Sequence, residues 1–108
     1  MPHAEIKYSS DLNLDPAAVL ADIEAVIQRH DAGSGACKGR AYPALVFHHS
    51  HVLVEVSLLP KTHRDAAFMQ ALSSDLEMAI KAHLSAPCYF SLNLAFSGAH
   101  YVTNTFAP

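Results

Sequence analysis

The apolar residues of this chain switch between a period of two and a period of 3.6 in an order that repeats, and that order limits the folds open to it. From 2 to 8, alternation places Pro2, Ala4, Ile6 and Tyr8 on one face of a strand. Asp11, Asn13 and Asp15 end it. Pro16, behind a candidate Asp15 cap, opens a helix over roughly 16 to 30 in which Val19, Leu20, Ile23, Val26 and Ile27 recur at helical spacing. Gly33, Ser34 and Gly35 form a loop. Lys38, Arg40 and Tyr42 then alternate with Gly39 and Ala41 as a second strand until Pro43 interrupts it. The second half repeats the order. His51 to Leu59 is rich in β-branched and apolar residues and stops at Pro60. Thr62, with Asp65 three positions on, resembles a capping signal for a helix over about 63 to 84 carrying Phe68, Met69, Leu72, Leu76, Ala79, Ile80 and Leu84. After Pro87, Phe90, Leu92, Leu94 and Phe96 alternate with Ser91, Asn93, Ala95 and Ser97 as a half-buried strand. The tail after Gly98 is a candidate for a short final strand.

Two βαβ units of about 50 residues predict an α/β domain (α+β by some schemes) spanning 1–108, with pseudo-repeat halves at about 1–48 and 51–108. Parallel crossovers are right-handed, so both helices should cover the same face of one mixed sheet. The other face then needs a partner, and a second copy of the chain can supply it. A chain that is 51% hydrophobic and 16% charged has the apolar residues for a core and for such an interface. A net charge of -3, with seven Lys and Arg dispersed along the sequence, leaves no basic patch for nucleic acid. No apolar run approaches the roughly 20 residues that cross a bilayer, so no membrane partner is expected and a cytoplasmic protein is. Cys37 and Cys88 form no CxxC pair and read as reduced, partly buried thiols.

The residue with most chemical potential is Pro2. If Met1 is removed, Pro2 becomes a secondary amine at a chain end, with no flexible stem and a strand to hold it. Burial or nearby cations disfavour the protonated amine, and an ordinary α-amino group starts only slightly above neutrality, at about 7.7 to 8.0. Such an amine suits a general base. Against this stands a structural reading, since proline as a strand's first residue costs no ladder hydrogen bond. His48, His49 and His51 form a local cluster. On an extended chain His49 and His51 share a face while His48 points away, so at most two converge and no metal site is expected. His63 and Arg64, at the start of a helix, are expected to face solvent. The absence of G-x-S-x-G, Walker and HExxH patterns argues against nucleophilic hydrolysis and nucleotide binding.

Two βαβ units behind Met1-Pro2-His3 resemble the tautomerase superfamily, and most of all its 5-carboxymethyl-2-hydroxymuconate isomerases. The likeness is carried also by Cys37-Lys38-Gly39-Arg40, Val54-Glu55-Val56-Ser57-Leu58 and Thr103-Asn104-Thr105-Phe106, which span nearly the whole chain. It implies a homotrimer with an active site near each amino terminus, between neighbouring subunits, and no cofactor. It further implies that Pro2 moves a proton within a small enolic or unsaturated carboxylic acid. Arg40 and Lys38 stand at the family's basic positions, where they would hold the carboxylate and stabilise enolate charge. The chain departs from the family at His48-His49-Ser50-His51, a short connection where the isomerases carry a longer segment, and this leaves the substrate open. The expectation is a cofactor-independent isomerase or tautomerase. The alternative is a catalytically silent trimeric module of the same fold that binds a small acid or a protein. A metal-binding module built on His49 and His51 is a third reading.

Overall fold

A computed structural model describes residues 1–108. It orders the chain as β1 (His3–Ser9), α1 (Pro16–His30), β2 (Lys38–Ala44), β3 (His51–Leu58), α2 (Ala66–Lys81) and β4 (Tyr89–Phe96). The strands form one sheet in the order β2-β1-β3-β4. Each β-α-β half is a parallel pair, β1 with β2 and β3 with β4, and the halves join through antiparallel β1 and β3 with Glu5 opposite Glu55. The halves begin alike. His3 lies opposite Lys38 and His51 opposite Tyr89. Just before those pairs, Lys38 N–H donates to the Pro2 carbonyl at 2.9 Å, and Tyr89 N–H to the Ser50 carbonyl at 3.0 Å.

Alternation along the strands sorts the two faces. Ala4, Ile6 and Tyr8 of β1 and Val52, Val54, Val56 and Leu58 of β3 are buried beneath the helices, against Val19, Ile23, Val26 and Ile27 of α1 and Leu72, Leu76 and Ile80 of α2. The intervening residues, His3, Glu5, Lys7, Glu55 and Ser57, lie on the face that no helix covers. That open face is polar. The apolar surplus lies elsewhere, in Leu45 and Val46 after β2, in Tyr89, and in Val102 and Phe106 of the tail, all largely exposed.

Three boundaries differ from the sequence expectation. Pro43 does not end β2, which runs on to Ala44 and still pairs Pro43 with Tyr8. β2 is an edge strand, where a missing N–H goes unmissed. The second helix begins at Ala66 instead of about 63, because Asp65 is itself the cap and accepts from Phe68 N–H at 2.8 Å. Its far end gives way after Lys81 to i→i+3 turns, His83 to Ile80 and Leu84 to Lys81, so Leu84 keeps helical spacing outside the helix. The first helix starts at Pro16 behind Asp15, whose carboxylate accepts from Ala18 N–H at 3.2 Å. The tail after Gly98 forms no strand. No helix is long and apolar enough to cross a membrane.

Candidate active site

β1 enters the sheet at its centre, so whatever precedes His3 is surrounded by the ends of other elements. β2 starts beside it. β3, running the other way, ends beside it, because His3 pairs with Ser57. The segment from Leu59 to Asp65 that follows β3 therefore stands at the chain's amino-terminal end. Pro2 is buried there, its carbonyl held by Lys38 N–H. The Met1 amine next to it has a lowered pKa, first through desolvation and then through the fields of Lys61, Arg64 and Lys38. The strand thus delivers its first residues into a cationic corner of the molecule.

Arg64 is not the surface residue its helix-start position suggested. It is 5% exposed. Its Nε and Nη2 donate to Asp31 Oδ2 at 3.0 and 2.8 Å, and its Nη1 to the Leu59 carbonyl at 2.8 Å. Asp31 also accepts from His63 Nε2 at 2.8 Å and from Gly33 N–H at 3.2 Å. The His63 and Arg64 hydrogen bonds together hold the Asp31 carboxyl down at about 2. The end of α1 and the loop before α2 are clamped together through this one carboxylate. Arg64 therefore acts on the amino terminus as a fixed charge.

The two basic residues singled out on β2 take different places. Lys38 stands at the amino terminus, its Nζ 3.4 Å from Met1 Sδ. Arg40 lies two residues further along, where its Nε donates to Glu5 Oε1 at 2.9 Å and its Nη1 to His3 Nδ1 at 3.2 Å. Nη2 has no intrachain partner, which leaves that nitrogen for a ligand. Because an arginine can only donate, His3 Nδ1 is the acceptor, and neutral His3 carries its proton on Nε2. Burial and the nearby Arg40 lower the pKa of His3. His3, Glu5, Arg40, Glu55, Ser57 and Asn93 line a hollow of about 170 Å³ on the open sheet face. Gly39, between the two basic residues, points to the other face, where an added Cβ would come within 2.7 Å of Leu20 Cδ2. The absence of a side chain there lets β2 lie close under α1 while Lys38 and Arg40 share the open face.

Two residues of this region carried no signal in sequence. Lys61 follows a strand that ends beside the start of β1, so the antiparallel pairing of β1 with β3 was the clue to its place. Tyr101 lies in the irregular tail. Its hydroxyl donates to the Met1 carbonyl at 3.2 Å, and its ring meets His3 edge to face with centroids 6.4 Å apart.

The histidine cluster is arranged otherwise than an extended chain predicts. His49 has φ of 64°, in the left-handed region, which breaks the alternation. Its ring stacks obliquely on His48 with centroids 4.1 Å apart, while His51 Nδ1–H donates to the His49 carbonyl at 2.8 Å. No group of three or more His, Cys, Asp and Glu side chains converges as a metal site. The Cys37 thiol is pushed up to about 11 by burial and then by Glu24, which makes it a poor nucleophile.

No family model and no curated protein sequence matches the chain. Solved structures do. A 5-carboxymethyl-2-hydroxymuconate delta-isomerase superposes over 98% of this chain and 89% of its own with a TM-score of 0.75, at 19% identity. A 5-carboxymethyl-2-hydroxymuconate isomerase from Deinococcus radiodurans R1 covers 96% and 90% at a TM-score of 0.74 and 16% identity. The chain has the tautomerase fold. A fused 4-OT symmetric trimer shares that fold over 94% of this chain and 93% of its own, with a TM-score of 0.66 at 11% identity. Within a tautomerase fold, then, stand a buried proline at position 2, a lysine beside it and an arginine with Nη2 unpartnered.

Proposed function

We propose that, once Met1 is removed, the chain is a cofactor-independent isomerase of the tautomerase type that acts on a small enolic or unsaturated carboxylic acid. Pro2 is the general base. It takes a proton from a carbon or hydroxyl of the substrate and returns it elsewhere on the conjugated system. Lys38 and the unpartnered Nη2 of Arg40 hold the carboxylate and the developing enolate charge. The observation that carries this reading is the burial of Pro2 at the start of the central strand, beside Lys38, where burial and then Lys61, Arg64 and Lys38 already lower the pKa of the adjacent Met1 amine. An amine in that environment sheds its proton nearer neutrality than a solvated one and is free to accept another. The substrate is of the 2-hydroxymuconate type and the assembly a homotrimer, as the likeness to the isomerases and to a symmetric trimer suggests.

The test combines the intact mass of the purified protein with ultraviolet ketonisation of 2-hydroxymuconate and phenylenolpyruvate. Loss of Met1 and a fall in turnover of roughly 10² to 10⁴-fold in Pro2→Ala are the expected results. Retained Met1, or turnover indifferent to Pro2, rules the mechanism out. It would leave a silent module of this fold, in which acid binding depends on Arg40 more than on Pro2.

A further inference from the structure

The Met1 residue touches the groups that its removal would release. Its carbonyl oxygen, on the carbon bonded to the Pro2 nitrogen, accepts from the Tyr101 hydroxyl, and its sulfur lies against Lys38 Nζ. Without Met1 both donors lose these partners while remaining aimed at the space beside the Pro2 nitrogen. Tyr101 is held by more than that one bond. Its ring packs edge-on to His3, and His3 is fixed in turn by Arg40. A neutral hydroxyl and an ammonium beside one amine suit different parts of an enolic acid, since the ammonium complements a charge already present in the carboxylate. The hydroxyl complements a charge that forms only during reaction.

We propose that Tyr101 is a further catalytic residue, which donates a hydrogen bond to the substrate oxygen where negative charge collects as Pro2 removes the proton. The proposal rests on Pro2 being the base. In the keto-forming direction the Pro2 nitrogen takes the enol hydroxyl proton, and the freed electron pair stays on the oxygen facing Tyr101. That pair then reforms the carbonyl, and the displaced π electrons take up the proton from Pro2 at carbon. Tyr101 keeps its own proton throughout, and nothing is oxidised or reduced. A donor placed on an oxyanion is worth roughly 10² to 10³ in kcat, because it acts on the transition state more than on the bound substrate.

Tyr101→Phe retains the ring against His3 and deletes only the hydroxyl, in a tail outside the hydrophobic core. With phenylenolpyruvate as probe and Met1 loss verified by mass, kcat should fall about 10²-fold. KM should change little, and the low-pH limb of kcat/KM should stay where it is in the wild type. An unchanged kcat, or a loss confined to KM, overturns the role of Tyr101 while turnover that still requires Pro2 upholds the base. Turnover that ignores Pro2→Ala overturns both.

Discussion

At the scale of single residues, the amine at the start of β1 feels burial first and then charges brought from distant parts of the sequence. Lys61 illustrates how. In the proposed mechanism the base must be unprotonated, so each cation that disfavours the protonated amine moves the low-pH limb of kcat/KM downward. Lys61→Met removes one such cation, and the limb should move upward by on the order of a few tenths of a pH unit, the size expected of a solvent-screened charge. A pH profile that Lys61→Met leaves in place would mean that burial, with Arg64 and Lys38, sets the basicity without Lys61. The burial of Pro2 was legible in the sequence, because alternation puts it on the same strand face as Ala4, Ile6 and Tyr8. Lys38 and Arg40 were legible as neighbours on one strand face, but alternation cannot tell which is engaged. Only the register that sets Arg40 against Glu5 shows that its Nε is occupied. Tyr101 was illegible, since a tail without periodicity carries no pattern to extend.

At the scale of elements, the Asp31 carboxylate ties the end of α1 to the loop that enters α2. Breaking a buried pair leaves Arg64 with an uncompensated charge, so Asp31→Ala should destabilise the fold by about 3 kcal/mol in urea unfolding. The sign of the pH dependence follows from the depressed pKa. The Asp31 contribution is fully present above the unfolded value of about 3.9 and is lost as pH falls toward about 2, where the folded carboxyl titrates. The gap between wild type and Asp31→Ala should therefore close across that window, and a gap constant down to pH 2 would mean that the clamp does not depend on charge. This clamp also marks where sequence reading stops. Helical spacing identified both helices and strand alternation the strands, because those periods follow from burying one face. Arg64 was placed in solvent because a charged residue in a first helical turn is usually there. What draws it inward is Asp31, 33 positions earlier and on the other half of the chain. The start of α2 was misplaced for a related local reason, as Thr62 and Asp65 both have side chains that can cap and only the backbone decides between them.

At the scale of the whole molecule, both edge strands lack a partner on one side, and Val46 and Phe106 are 96% and 85% exposed. Exposed apolar side chains and open strand edges together favour self-association over a solitary chain. In the proposed trimer, sedimentation should give three times the chain mass, and the thermal midpoint should rise with protein concentration. A monomer at every concentration would remove the subunit-boundary site from the proposal. The likeness between the two strand starts bears on such an assembly in another way. The second half opens as the first does, down to the carbonyl before the strand that accepts from the first residue of its neighbour, and Cys88 precedes Tyr89 as Cys37 precedes Lys38. There, however, the backbone arrives through a peptide bond from His49, so that end stays tied off where the proposed removal of Met1 would free the first. A duplicated unit inside one chain can expose a terminal nitrogen at only one of its two openings. The tied-off opening owes nothing to proline chemistry, and it is the one that holds the left-handed histidine and, with Cys88 and Tyr89, the roomier hollow of about 350 Å³. With Met1 removed as proposed, half of the openings in any assembly of such chains would stay closed in this way.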